Sequence, residues 1–180
     1  MGMLTLQDNT ERMKYFLPIL LLMAVLTACQ EEKTSSFLSP VNWEKRRAVL
    51  SEADSLAYES SYLSVYSEIY QLSEKRTYNL TVTVSMRNIS SADSLYVLRA
   101  DYYNTEGKLI RTYFGHPIFI RPMETVEIVI DAVDKSGGTG ANFIFDWATP
   151  DPQLEPLFEA VMIGTSDQQG LSFTTQGVKR

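Results

Sequence analysis

Three glycines fall within four residues, directly before an apolar run, in the stretch DKSGGTGANFIFDW: Gly137, Gly138 and Gly140. Glycine-rich turns of this kind cradle phosphate groups when a lysine follows the last glycine and a helix follows the loop. Ala141 follows the last glycine instead, and Phe143 stands where a dinucleotide fingerprint needs its final glycine. The next residues also alternate as in a strand, which excludes both phosphate motifs. We therefore predict a structural connection or bulge, with positive φ and close backbone approach, formed by the glycines and Asn142.

Acidic residues around this stretch provide the oxygen ligands that calcium prefers: Asp131, Asp134, Asp146 and Asp151. Their spacing does not match an EF-hand loop. We therefore keep calcium binding only as an alternative to a purely structural loop, and we assign no metal ligand and no cofactor.

His116 is the only histidine and Cys29 the only cysteine, which excludes an internal disulfide, most zinc sites and a Cys/His couple. His116 precedes Pro117 at a predicted strand break, and we retain it, with Asp134, as a candidate for contact with a partner. We identify no catalytic residues and expect a protein that is not an enzyme. An enzyme that uses carboxylates such as Asp134 or Asp146 as acid and base is a third hypothesis, and it ranks last because nothing in the sequence sets their spacing.

The chain from Met13 onward has the features of a secretory signal peptide. Lys14 provides the positive start, and residues 15–25 are almost wholly apolar but shorter than the roughly 20 residues of a spanning helix. The run ends in a motif that resembles the lipobox of bacterial lipoproteins: Leu26, Thr27, Ala28 and Cys29. The resemblance implies cleavage before Cys29 and lipidation of its thiol. We expect a signal peptide over residues 1–28, with the true start at Met13.

The net charge of −6 argues against a nucleic-acid partner, because phosphate contacts need a basic surface. Glu31 and Glu32 directly follow Cys29. Acidic residues in this place resemble a signal that sends some lipoproteins to the surface of Gram-negative cells, and a plain solvated tether is the alternative. We predict a cell-envelope protein held to the membrane, most simply the outer membrane, through lipid on Cys29.

Residues 29–60 are predicted to be a tether. Its first part is polar and serine-rich, as flexible linkers are. The stretch NWEKRRAVLSEADSLAY that follows indicates a short helix, with Asn42 as the N-cap and with Trp43, Leu50 and Ala57 on one face. This helix is expected to pack on the domain or to lie on the membrane.

The rest of the chain, residues 61–177, shows the period of two that is typical of strands. In TYNLTVTVSMRN the apolar and hydroxyl residues alternate, and about eight or nine such segments follow one another at spacings near ten residues. Asn104 to Gly107 form a predicted hairpin turn. Because no crossover helices separate the segments, the fold class is an all-β antiparallel sandwich, immunoglobulin-like in its general architecture.

Five segments of this domain resemble a bacterial lipoprotein family, domain of unknown function 3124 (DUF3124): YLSVYSEIY, RTYNLTVTVSMRN, DYYNTEGKLI, SGGTGANFIFDW and EAVMIGTSDQQGLSF. They occur in the same order and cover Tyr62 to Phe173. The resemblance implies no catalytic or metal residues.

Two binding hypotheses follow for the domain. In the first, a non-enzymatic lipoprotein binds another envelope protein or supports an assembly. In the second, tyrosine-rich strands and the loops near His116 and Asp134 bind a small ligand or a glycan. Tyrosines in strands also form half-buried cross-strand pairs, which need no ligand.

Overall fold

The computed structural model describes residues 41–165 and 170–180, and the signal peptide, Cys29 and most of the predicted tether lie outside these ranges. The described chain forms twelve strands. In order they are β1 (Ala57–Val65), β2 (Glu68–Gln71), β3 (Ser73–Asn79), β4 (Thr81–Arg87), β5 (Leu95–Tyr103), β6 (Leu109–Thr112), β7 (Ile118–Ile120), β8 (Thr125–Ile130), β9 (Ala141–Thr149), β10 (Leu157–Gly164), β11 (Leu171–Gln176) and β12 (Val178–Lys179). Three single turns of 3-10 helix accompany them: Glu44–Arg46, Glu52–Asp54 and Gly138–Gly140.

The strands form two main antiparallel sheets, which confirms the all-β sandwich. The large sheet has the order β12-β1-β9-β5-β6, with β7 also paired to β5. The small sheet has the order β11-β10-β4-β8, and β2 and β3 form a separate hairpin. Within the described residues no helix is long and apolar enough to cross a bilayer.

The core lies between the two sheets and is built by the predicted alternation. Phe143, Phe145 and Trp147 of β9 are at most 1% exposed. The Phe145 ring stacks on Phe158 of β10 with centroids 4.2 Å apart, which joins the large sheet to the small one. Such aromatic side chains bury about 150–250 Å² each and dominate the energy of a core.

The predicted single strand from Thr77 to Asn88 is wrong in one respect. β3 ends at Asn79 and pairs with β2, whereas β4 begins at Thr81 and pairs with β8 and β10. The chain changes sheets at Leu80, whose N–H donates to the Ser67 carbonyl (2.9 Å) and whose side chain is fully buried. The alternation of core residues continues through this break, which is why the sequence shows one strand instead of two.

Gly177 lies at a second change of sheet, between β11 and β12. β11 pairs with β10 of the small sheet, and β12 pairs with β1 of the large sheet. The Gly177 N–H donates to the Phe158 carbonyl (2.8 Å), and a Cβ at this position would lie 3.0 Å from the Cβ of Phe158. The C-terminal strand therefore closes one side of the sandwich.

The predicted short helix from Asn42 to Tyr58 is largely wrong. Asn42 Oδ1 does accept the Lys45 N–H (3.1 Å), as an N-cap would, but the turn ends at Arg46. Arg47 then forms an extended bridge with Ile118, and Ala57 and Tyr58 belong to β1. Pairing with the edge of β7 gives this backbone the partners that a helix would supply internally.

Residues 41–48 are docked on the sandwich, and we call them the N-terminal strap. The Trp43 ring contacts Phe114 at 5.0 Å between centroids, and the Ala48 N–H donates to the Pro117 carbonyl (2.8 Å). Arg46 Nη2 forms an ion pair with Glu124 Oε1 at 2.8 Å, with both side chains less than a quarter exposed. Of the two placements expected for this segment, packing on the domain is correct.

We predict that Arg46→Gln lowers the free energy of unfolding by about 1 kcal/mol at pH 7, because it removes a largely buried ion pair. Arg47→Gln is the matched control, since its partner Glu44 is 70% exposed and should contribute little. Urea unfolding of both variants gives the comparison.

The effect of Arg46→Gln should also depend on pH. The hydrogen bond from Arg46 lowers the pKa of Glu124 below its usual 4.5. The stabilisation is therefore present above about pH 4.5 and is lost as the pH falls through the lower folded-state pKa. An equally large effect of Arg46→Gln well below that pKa would contradict this role of the ion pair.

Candidate functional site

The glycine connection between β8 and β9 is a turn held by backbone hydrogen bonds. Gly138 has a φ of 72°, which confirms the predicted positive φ. The Ser67 N–H donates to the Gly138 carbonyl (3.1 Å), and the Thr105 N–H donates to the Gly137 carbonyl (3.0 Å). Thr105 Oγ1 accepts the Gly140 N–H (2.9 Å). The turn is thus tied to the hairpin after β5 and to the loop after β1.

Gly137 confirms the predicted close approach. A Cβ at this position would overlap the hydroxyl oxygen of Tyr102 and would lie 2.6 Å from Ser67 Oγ. Ser67 Oγ and Tyr102 Oη are hydrogen-bonded at 2.8 Å, and both residues are fully buried. Burial raises the pKa of Tyr102, so its hydroxyl stays protonated. The N–H groups of Gly138 and Gly140 donate to Lys135 and Thr105 within the protein, so the glycine stretch has a structural role.

Asn142 lies in β9 and on its outer face, beside Ser64 of β1 and Tyr103 of β5. The strand that was predicted to follow the glycines is therefore present from Ala141 onward. Asn142 belongs to the sheet, and the three glycines form the turn before it.

Asp134 sits in a small polar cluster at the rim of the sandwich. Its Oδ1 accepts the Ser136 N–H (3.1 Å), and its Oδ2 lies 3.1 Å from Arg111 Nη2. Arg111 also donates to the Tyr113 hydroxyl (3.2 Å). The hydrogen bonds from Ser136, followed by those from Arg111, lower the pKa of Asp134. Its carboxylate remains ionised and paired, which suits anchoring a loop better than transferring a proton.

His116 has a different environment. Its Nε2 lies 3.2 Å from the Trp43 carbonyl, and its Nδ1 lies 3.7 Å from a carboxylate oxygen of Glu44. His116 therefore contacts the N-terminal strap. Asp134 contacts Arg111 and Ser136, so the structure does not bring these two candidate residues into one site.

Three of the four acidic residues near the glycines have separate partners, and the fourth, Asp131, is exposed after β8. Asp134 pairs with Arg111, Asp146 pairs with Arg99, and Asp151 Oδ1 accepts the Gln153 N–H (2.9 Å). The part of the chain that the structure describes contains no group of three or more His, Cys, Asp or Glu arranged to hold a metal ion. The calcium alternative receives no support from this arrangement.

The outer face of the large sheet carries an ion-pair cluster that the sequence did not predict. Arg99 Nε lies 3.1 Å from Asp101 Oδ2, and Arg99 Nη2 lies 2.9 Å from Asp146 Oδ2. Thr112 Oγ1 donates to Asp101 (2.7 Å), whose side chain is only 3% exposed. Strict alternation from the buried Val97 would point Arg99 inward, but a bulge in β5 puts it opposite Asp146. Sequence alternation alone could not find this cluster.

The tyrosines divide between the two expected roles. Tyr102 and Phe143 form a stacked cross-strand pair with centroids 4.9 Å apart. Tyr58 and Tyr62, by contrast, are 58% and 38% exposed and share the outer face of β1. The described tyrosines therefore include buried pairs as well as exposed rings.

A pocket of about 220 Å³ opens between the two sheets near the C-terminus. Its lining includes Ser61, Trp147, Glu155, Phe158, Gln176 and Lys179. Lys179 Nζ lies 5.6 Å from the centre of the Trp147 ring and within 3.3 Å of Glu59 and Glu155. These residues come from four separate stretches of chain, so their proximity had no local signal in the sequence. The pocket combines aromatic walls with an ammonium, a carboxylate and an amide.

The lipobox residues Leu26, Thr27, Ala28 and Cys29 lie outside the described ranges, so their predicted roles stay predictions.

Comparison with known proteins identifies a family for the sandwich. The family model described as "Protein of unknown function (DUF3124)" matches residues 58–179, which confirms the resemblance drawn from the strand segments. No curated protein matches the chain. The crystal structure of Thermotoga maritima 1070 is similar, with a TM-score of 0.43 and 10% sequence identity over 67% of this chain and 92% of that one.

We predict that Gly137→Ala lowers the free energy of unfolding by about 2 kcal/mol or more, because the new methyl group overlaps buried atoms. Gly115→Ala is the control: a Cβ there meets nothing within 4 Å, and its effect should stay within about 0.5 kcal/mol. The double variant Gly137→Ala, Tyr102→Phe should lose less than the two single losses combined. Strict additivity in chemical unfolding would contradict the overlap with the hydroxyl.

Proposed function

The chain belongs to the DUF3124 family of proteins of unknown function, and from that premise we propose that it is a lipid-anchored protein of the cell envelope whose sandwich is a non-enzymatic binding or assembly module. The observation that carries the proposal is the position of Cys29, the only cysteine, at the end of an apolar run and directly after Leu26-Thr27-Ala28. In an exported protein, the thiol of a lone cysteine at that position can serve as an acyl acceptor.

The anchor sets how the domain meets its surroundings. Each buried CH₂ group contributes about 0.8 kcal/mol to membrane attachment, and a single chain holds only marginally, so stable anchoring needs more than one acyl chain. Eleven residues lie between Cys29 and Val41, the first described residue. Fully extended, they reach at most about 40 Å. The sandwich is therefore kept close to the bilayer, where it meets other envelope components.

The non-enzymatic part of the proposal is supported by the use of the ionisable groups. Asp134 and Asp146, the carboxylates considered for acid and base roles, are each paired with a different arginine. His116 contacts the strap. A general acid or base needs a proton-transfer partner in a cleft, and these groups are instead satisfied within the fold.

The outer membrane is the proposed location, with Glu31 and Glu32 behind Cys29 as the residues that favour display on the cell surface. Proteolysis of intact cells distinguishes the two faces, because only a surface-exposed domain is degraded before the cells are lysed.

A second candidate function is the binding of a small ligand or a glycan, and the pocket beside Trp147 favours it. Its volume is below the roughly 300–1,000 Å³ of pockets for drug-sized molecules, so one sugar ring or one side chain is the size it suits. Lys179, Glu155 and Gln176 supply polar contacts of the kind that sugars use, while Trp147 is 1% exposed and its ring lies beneath the Lys179 ammonium.

We expect Cys29→Ser to abolish incorporation of labelled palmitate and to leave the uncleaved precursor. Leu26→Asp should also abolish labelling and cleavage although it keeps the thiol, because it disrupts the lipobox motif and leaves the acyl acceptor Cys29 intact. Labelling of Cys29→Ser would refute the anchor. In-cell crosslinking of the wild type followed by mass spectrometry tests the binding role, and the absence of any specific partner would count against it.

For the ligand hypothesis, we expect N-acetylglucosamine to change the fluorescence of Trp147 in a Trp43→Phe background, where Trp147 is the only tryptophan. Lys179→Ala should weaken this response at least fivefold, since Lys179 lines the pocket, while Lys108→Ala, on a distant turn, should not. No change of fluorescence up to millimolar sugar, or equal responses in both lysine variants, would contradict glycan binding in this pocket.

A further inference from the structure

β8 forms one edge of the small sheet, and its pairing is regular throughout. Its residues Thr125 to Ile130 pair with Arg87 to Val82 of β4 without a bulge. No described strand lies on its other side. It contains no proline. A regular edge without a bulge or proline is a template for another strand unless something protects it.

The hydrogen-bonding direction of this edge follows from its neighbour. The Asn88 N–H donates to the Glu124 carbonyl (3.0 Å), so these two residues form a hydrogen-bonded pair of the antiparallel ladder. Hydrogen-bonded and non-hydrogen-bonded pairs alternate along such a ladder. Val126, Ile128 and Ile130 therefore direct their backbone groups toward β4. The N–H and C=O groups of Thr125, Glu127 and Val129 point to the open side.

The other described edges are shorter, irregular or closed: β3 has seven residues, but its pairing with β2 shifts register between Tyr70 and Gln71. β12 has two residues, and β6 has four and meets a bulge in its pairing with β5. β11 lies against the large sheet, where Thr175 Oγ1 donates to the Ser64 carbonyl (2.6 Å). Among the strands that the structure describes, β8 thus offers the longest regular and open edge.

The exposed side chains of this edge alternate between acidic and apolar. Glu127 points to solvent, Val129 is 54% exposed, and Asp131 is exposed directly after the strand. Symmetric pairing of two copies centred on Glu127 or Val129 would place acidic residues opposite each other, which is unfavourable. A partner strand with basic residues at alternate positions would instead form ion pairs with Glu127 and Asp131. A second copy avoids this repulsion only in registers such as those centred on Val126 or Ile128, which place Thr125 or Val129 opposite Glu127 and form no ion pair there. The charge pattern therefore favours a basic partner strand.

We infer that the open edge of β8 binds an extended segment of a partner protein by strand addition, and that this segment carries Lys or Arg at positions facing Glu127 and Asp131 and an apolar residue facing Val129. Backbone hydrogen bonds to Thr125, Glu127 and Val129 supply the affinity, and the alternate side chains supply the selectivity. The inference rests on the proposed binding role and is independent of the lipid anchor.

The probe is the peptide KTVVKVT with fluorescein on its N-terminal amine through a Gly-Gly spacer and an amidated C-terminus, with ETVVEVT labelled in the same way as the acidic counterpart. Both are titrated by fluorescence anisotropy against the lipidated protein in detergent. We expect saturable binding of the basic peptide and at least tenfold weaker binding of the acidic one. Val129→Pro should weaken binding of the basic peptide at least tenfold, because it removes an outward N–H at an edge position where proline is tolerated. Its thermal unfolding checks that it still folds.

Glu127→Lys provides a second variant that does not alter the backbone. It should weaken binding of the basic peptide and strengthen binding of the acidic one. Glu106→Lys is the matched control, because it makes the same change of charge on an exposed turn and should change neither peptide's affinity. No binding at millimolar peptide, or binding unaffected by Val129→Pro and Glu127→Lys, would overturn the inference. Dimerisation that Val129→Pro abolishes would also overturn it by assigning the edge to a second copy.

The two proposals can fail separately. A photo-crosslinking residue at position 125 in cells should capture a partner through the β8 edge. Partners captured only from other faces would leave the envelope-binding role standing and would remove the edge inference.

Discussion

Burial of alternate side chains of β9 between the two sheets is the constraint on which the rest of this structure depends. Phe143, Phe145 and Trp147 lie on the inner face of the central strand of the large sheet, and Phe145 stacks on Phe158 of the small sheet. Neighbouring strands are in register with these residues because a slip of one residue would turn the aromatic rings to solvent. The chain passes from the β2–β3 hairpin to the small sheet at Leu80 and from the small sheet to the large one at Gly177, where the backbone must follow this packing.

The surfaces of this fold are better suited to a binding function than its interior is. The ionisable groups around the glycine turn and on the outer sheet face satisfy one another, as Arg111 does with Asp134 and Arg99 does with Asp146. Both arginines are about half exposed, so these pairs contribute little to stability, but each carboxylate already has its partner within the fold. What remains available is a shallow pocket beside Trp147 and the backbone edge of β8. Both suit recognition, and both lie on a domain that we propose is held near a membrane.

The glycine stretch illustrates how one sequence pattern acquires its meaning. The residues that follow the three glycines exclude a phosphate loop, and the structure shows why glycines are needed there. Gly138 adopts a left-handed conformation, and Gly137 leaves room for the hydroxyl of Tyr102, which lies 35 positions earlier. The first requirement is local and was predicted. The contact between Gly137 and Tyr102 joins distant parts of the chain, so the local sequence pattern did not predict it.

The sequence by itself determined the all-β class, the core faces of β4 and β9, the hairpin turn at Gly107 and the family, because alternation and turn chemistry are local properties of the chain. It did not determine that the strap would be extended, since Arg47 pairs with Ile118, about 70 residues away. Only the tertiary structure decided where Arg99 points, because a bulge in β5 reversed the local alternation. It also decided which strand became an open edge and which residues line the pocket. Such features arise from pairing between distant segments, and no local pattern encodes that pairing.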